Sequence, residues 1–218
     1  MPYLCLLLSG AALLVNGLAL LGRLPRRDAG TLSLVVGIIQ LGLAVGYVTT
    51  HDGGTPVMLS AAGMLLFGLT YTYVGLDTFL ALGGKGLGWF CGMVALFGML
   101  LAAAWLGSDP VLAVLWLAWA ALWGLFFVSL ALGRSAVDPF TGWALVLTSQ
   151  VTATVPAFLG LAGLWPSAPE AAPGMAFGAA AVLALLFTTA AVLARPGIRF
   201  RVRPASGSAA TSLQRQGT

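Results

Sequence analysis

Seven long apolar runs, separated only by short polar breakers, restrict this chain to folds that a lipid bilayer can hold. The runs lie at 4–21, 31–47, 57–80, 86–106, 110–132, 140–164 and 175–194. A transmembrane helix needs roughly 20 predominantly apolar residues, and each run is close to that length. The breakers RLPRRDAG, THDGGTP, LGGKG, GSDP, GRSAVDP and WPSAPEAAPG are rich in glycine, proline and charge, the residues that end apolar helices. Composition agrees: 7% of residues are charged, against about a quarter in a soluble domain. With 60% hydrophobic residues and a mean hydropathy of +1.00, the chain cannot wet a globular exterior. The expected fold is all-α, a polytopic transmembrane helix bundle.

The first run is expected to stay as a helix rather than leave as a signal peptide. No basic residue precedes it, Arg23, Arg26 and Arg27 follow it, and it is too long for a signal core. The ten basic residues then orient the bundle. Arg23, Arg26 and Arg27 fall in the first loop, Lys85 in the third, Arg134 in the fifth, and Arg195, Arg199, Arg201, Arg203 and Arg215 in the tail. With seven spans all of them share one side, and the positive-inside rule makes that side the cytoplasm. The N-terminus is expected outside and the C-terminus inside, so the net charge of +4 speaks of topology and not of nucleic acid. The short loops leave no room for a soluble domain. Residues 1–165 are expected to form a six-helix core, 166–196 a further transmembrane helix, and 197–218 a basic, disordered cytoplasmic tail.

Cys5 and Cys91 are placed in opposite leaflets, which argues against a disulfide. Gly42-x3-Gly46 and Gly84-x3-Gly88-x3-Gly92 are spacings that let helix backbones approach, within one bundle or between subunits.

Ionisable residues inside a membrane mark ion paths and proton relays, and here only Asp77 lies well within a run. The sole lysine and sole histidine, Lys85 and His51, fall in loops. No nucleophile, base or metal set converges, so neither an enzyme nor a metal or cofactor is expected. The polar groups of the interior are neutral: Asn16, Gln40, Thr70, Tyr71, Tyr73, Thr148, Gln150, Thr152 and Thr154. That inventory suits a solute with hydrogen-bonding groups and no charge.

Trp116, Trp119 and Trp123 are spaced three and four apart, which sets them along one helix face. At about 1.5 Å per residue from Pro110 they lie roughly 9, 14 and 20 Å into the span. Tryptophan favours the membrane surfaces, so depth sets the last two apart, and a buried indole N–H needs a partner. Phe67 and Tyr71 form a similar pair on the third run, with Thr70 beside them. Pro156 interrupts the sixth run and removes a bond that the Thr152 carbonyl would accept. An aromatic slot could pass a planar amide between ring faces without trapping it. Packing between helices is the competing reading of the same residues.

The segments LLLSGAALLVNG, GMLLFGLTYTY, LWLAWAALW and FTGWALVLTSQVTATVPAF resemble, in this order, those of the AmiS/UreI family of urea and amide channels. The resemblance implies a pore inside each protomer, protomers joined in a hexameric ring, passive flow of urea or short aliphatic amides, and a bacterial inner membrane. It also implies roles: Phe67, Tyr71, Trp116, Trp119, Leu122 and Trp123 at pore and constriction positions, Leu6 and Leu13 at apolar pore positions, and Thr148 at a pore position. There are departures from the family's acid-gated gastric member. Leu112 replaces a tryptophan, Thr148 and Ser108 replace glutamates, and the loop 51–55 lacks a histidine-rich insert. The leading expectation is a urea or amide channel; a permease or channel for another neutral solute and a non-conducting scaffold subunit are the alternatives.

Overall fold

The computed structural model describes residues 1–166 and 172–195. Among these, seven helical spans are long and apolar enough to cross a membrane: α1 Pro2–Leu20, α2 Arg26–Thr49, α3 Thr55–Leu80, α4 Lys85–Trp105, α5 Pro110–Ala131, α6 Ser135–Leu161 and α7 Ala172–Leu193. No strand occurs among the described residues. The basic tail expected at 197–218 and residues 167–171 of the last breaker lie outside them.

Helix starts follow local chemistry. Pro2, Pro56, Pro110 and Pro139 stand in first turns, where a missing N–H costs nothing. Asp109 caps α5, its Oδ1 accepting the Leu112 N–H at 2.9 Å. The helix α2 begins at Arg26, earlier than the apolar run alone implies, because the helical backbone continues past the last apolar residue.

Two spans are not α-helical throughout. The span α5 ends in a π turn at Phe127–Ala131, and α6 contains another at Gln150–Thr154. The second lies immediately before Pro156, where the absent N–H loosens the hydrogen-bond ladder. Neither Thr152 nor Pro156 borders either of the two cavities described below.

Contacts run around a closed ring: α1 to α2, α2 to α3, α3 to α4, α4 to α5, α5 to α6 and α6 back to α1. The tightest seam, α2–α3, is built on glycines. A methyl at Gly37 would collide with Thr72 and the Gly68 carbonyl, and one at Gly75 would meet Leu34 Cβ at 2.6 Å. Of the two spacings noted in the sequence, Gly88 and Gly92 press against Leu130, Ala131 and Phe127 inside the bundle. Gly42 faces open space, and Gly46 has only Met1 Sδ near it, at 3.9 Å. The helix α7 stands outside the ring and packs on both α5 and α6, whose direct contact is slight. It buries Ala176, Leu183 and Ala190 along one stripe, with Phe187 against Phe140 at 6.3 Å between ring centroids.

Candidate functional site

Two cavities lie inside the ring, one at each end. The cavity at the Met1 end has a volume of about 460 Å³ and is walled by Leu6, Ser9, His51, Gly63, Asp109, Leu112 and Trp116, among others. The cavity at the Arg26 end has about 160 Å³, with walls that include Leu13, Asn16, Thr70, Tyr71, Leu122 and Trp123. Phe67 and Trp119 border both. These two side chains are 8% and 3% exposed, so the partition is a packed aromatic layer.

Phe67 stands at the centre of that layer. Its ring centroid is 4.7 Å from Trp123, 5.2 Å from Trp119, 6.0 Å from Trp116 and 6.1 Å from Tyr71. Trp119 meets Phe67 at 86° and Trp116 at 87°, the edge-to-face arrangement that aromatic quadrupoles favour. Trp116 and Trp123 lie two turns apart on α5 with planes only 17° from parallel, at 6.4 Å between centroids. Gly63 on α3 makes the seat for Trp116, since a methyl there would lie 2.6 Å from the indole Cζ2.

Polar ties hold the aromatics in place. The Trp123 Nε1–H donates to Thr70 Oγ1 at 3.2 Å, and the Thr70 hydroxyl donates to the Leu66 carbonyl at 2.7 Å. The Tyr71 hydroxyl reaches the Ser9 carbonyl at 3.4 Å, while Gln40 Nε2 donates to Ser9 Oγ at 2.9 Å and to the Cys5 carbonyl at 2.7 Å. Asn16 Nδ2 donates to Ser33 Oγ and to the Ala12 carbonyl, both at 2.8 Å. At the Met1 end the Trp165 Nε1–H donates to Asp109 Oδ2 at 2.8 Å, so one carboxylate caps α5 and anchors the chain that follows α6.

The structure thus brings together Phe67, Tyr71, Trp116, Trp119, Leu122, Trp123, Leu13, Asn16 and Thr70, with Leu6 in the Met1-end cavity. Two of the expected site residues stand apart from both cavities. Thr148 is fully buried but lines neither cavity; its hydroxyl donates to the Ala144 carbonyl at 2.7 Å in its own helix. Gln150 is exposed and borders neither cavity: it follows Thr148 by two positions and so stands on the side of the helix away from the fully buried Leu145, Thr148 and Thr152. Thr152 is buried and donates to the Thr148 carbonyl at 2.9 Å.

Sequence reasoning missed the charged rim of the Arg26-end cavity. Arg26, Asp77 and Asp138 all border it. Asp77 Oδ1 accepts the Gly84 N–H at 2.8 Å, and Asp138 Oδ1 accepts the Ser129 hydroxyl, so both carboxylates are held by the turns beside them. Asp138 looked like part of a breaker; Pro139 after it was the available signal, since Asp-Pro commonly opens a helix. Gly63 and Ser9 carried no local signal at all.

An all-helical bundle of seven apolar spans, with no group of three or more metal-ligating side chains among its described residues, is a multi-pass membrane protein. The AmiS/UreI family transporter profile matches residues 1–164, and the chain belongs to that family. Its relatives and structural neighbours are channels and transporters, not enzymes. A protein named as the transporter AmiS2 of Rhodococcus erythropolis is 44% identical over 193 residues, covering 88% of this chain and 92% of that one. One named as an amidate substrates transporter of Mycolicibacterium smegmatis is 38% identical, covering 86% and 85%. The crystal structure of the urea channel of Helicobacter pylori superposes with a TM-score of 0.68 at 26% identity, covering 76% of this chain and 99% of that one. The closed state of that channel, solved by electron cryomicroscopy, gives 0.66 at 25% identity.

Proposed function

We propose that this protein is a passive membrane channel for urea or short aliphatic amides, with the solute crossing between Phe67 and the Trp116–Trp119–Trp123 face of α5. The observation that carries this reading is the pair of cavities meeting at one aromatic layer. A planar amide matches it: ring faces accept its two faces, and no buried charge demands an ion. The names of one relative and of the structural neighbours, an amidate substrates transporter and a urea channel, support the same solute class. On this reading residues 1–165 form the channel core, α7 is an addition to it, and residues 197–218 form a cytoplasmic tail. The N-terminus lies outside a bacterial inner membrane and the C-terminus in the cytoplasm, consistent with the basic residues at the Arg26 end. Protomers assemble as a homohexamer embedded in lipid, and conduction needs no cofactor.

The test is stopped-flow swelling of proteoliposomes in urea, acetamide, glycerol and water. Urea or acetamide should cross at rates well above protein-free vesicles. Rates at the protein-free level for both, with glycerol or water raised, would move the reading to another neutral solute.

A further inference from the structure

Among the described residues three buried polar atoms have no hydrogen-bond partner: Gln40 Oε1, Thr72 Oγ1 and Trp119 Nε1. The first belongs to the Ser9 tie and borders no cavity, and the second lies in the α2–α3 seam against Gly37. Trp119 differs from both, because its ring borders each cavity and stands in the layer between them. Its neighbour Trp123, one turn on, has the same group satisfied by Thr70 at 3.2 Å. Burying an unpaired N–H is costly, and phenylalanine would fill much of the same space without that cost.

We infer that the Trp119 indole N–H is the donor that takes the carbonyl oxygen of a passing solute, and so makes acceptor strength a criterion of selection in addition to size. This rests on the aromatic layer being the solute's path. An indole can donate and cannot accept, so the complementary group is an acceptor. The hydroxyl that serves Trp123 is committed there, since Thr70 accepts from Trp123 and donates to the Leu66 carbonyl. An anion would also accept, but the surrounding rings offer no countercharge for its desolvation. A neutral solute with a strong acceptor remains: the carbonyl of a urea or carboxamide. Its amino group can then point at the faces of Phe67 and Trp123, a weaker contact of the N–H to ring type.

The test replaces Trp119 with β-(3-benzothienyl)alanine, which keeps the ring shape and removes the N–H, in full-length protein reconstituted in vesicles. Urea is compared with thiourea and acetamide with thioacetamide, pairs in which sulfur weakens the acceptor. The isostere should narrow the oxygen-over-sulfur preference by roughly three- to tenfold, the scale of one hydrogen bond. A preference equal to that of the wild type overturns the inference. A second readout does not need flux. In lipid-embedded protein labelled with ¹⁵N at the indole, the Trp119 signal is assigned by its loss in Trp119→Phe. It should move downfield when acetamide is added and much less with thioacetamide; an unmoved signal at saturating acetamide also overturns the inference. A wild type that carries neither urea nor acetamide defeats the proposed function, and the indole shift then still decides whether Trp119 binds the carbonyl.

Discussion

Trp123 on α5 and Thr70 on α3 are joined by a 3.2 Å hydrogen bond from the indole N–H to the hydroxyl oxygen, across the middle of the ring. Because Thr70 passes its own proton to the Leu66 carbonyl, the threonine is locked as an acceptor and the indole orientation is set by α3. Replacing Thr70 by valine keeps the shape and deletes the acceptor. The buried indole N–H is then orphaned, at a cost of about 1–3 kcal/mol. The expected outcome is a lower thermal midpoint in detergent together with altered urea-over-acetamide selectivity; unchanged values of both would mean the bond orients nothing.

Trp119→Ala and Trp123→Ala separate a solute path from a structural core. A buried tryptophan in a well-packed soluble core costs about 3–5 kcal/mol when cut to alanine, and a comparable loss would dissolve the oligomer here. A ring that walls a cavity has lost part of that packing already. The expected result is a surviving oligomer on size-exclusion chromatography, with Trp123→Ala admitting amides bulkier than urea. Loss of the oligomer in both mutants, or wild-type rates and selectivity in both, would contradict the path assigned here.

Gly63 carries the position of Trp116. A methyl group at Gly63 would come within 2.6 Å of the indole, so Gly63→Ala must displace that ring, which borders the Met1-end cavity. Overpacking of this kind costs about 1–3 kcal/mol. Flux of acetamide should fall more than flux of urea, because the larger solute meets the narrowed side first. A swelling assay with equal loss of the two would place the effect in folding.

Acidification should do little. His51 is the sole histidine, and its ring lies 4.3 Å from that of Tyr47 at a tilt of 47°, with Nδ1 2.9 Å from the Tyr47 carbonyl. A steep acid switch needs several histidines acting together, and this sequence has one. Urea flux at pH 5 should stay within about a factor of two of that at pH 7.5; a large rise abolished by His51→Ala would reverse this conclusion.

The helix α7 closes the seam that α5 and α6 leave thin, with Ala190 fully buried in it. Ala190→Phe should therefore destabilise the protein by about 1–3 kcal/mol, measured as a lower thermal midpoint. Reporter fusions after Thr218 and within 168–172 should report opposite sides of the membrane. The same side for both would remove α7 from the bilayer.

The number and order of the spans, their polar breakers and the three-four spacing of Trp116, Trp119 and Trp123 were legible in the sequence. Each depends on neighbours along the chain: hydropathy adds up residue by residue, and a regular helix repeats its faces every 3.6 residues. Which face meets what is a different matter. Gln150 lies in an apolar run and yet stands exposed, two positions on from buried Thr148 and so on the other side of the helix. Thr148 is fully buried and yet borders neither cavity, while Thr70, with the same bond to its own helix, lines one. Gly88 and Gly92 pack inside while Gly42 faces outward, although their spacings are alike. Only the packed ring decided that Asp138 would border a cavity, that Gly63 would hold Trp116, and that Thr70 would satisfy Trp123 and leave Trp119 unpaired. Those outcomes rest on contacts between helices distant in sequence, and a pattern that repeats along one helix carries no record of the rotation at which its partner arrives.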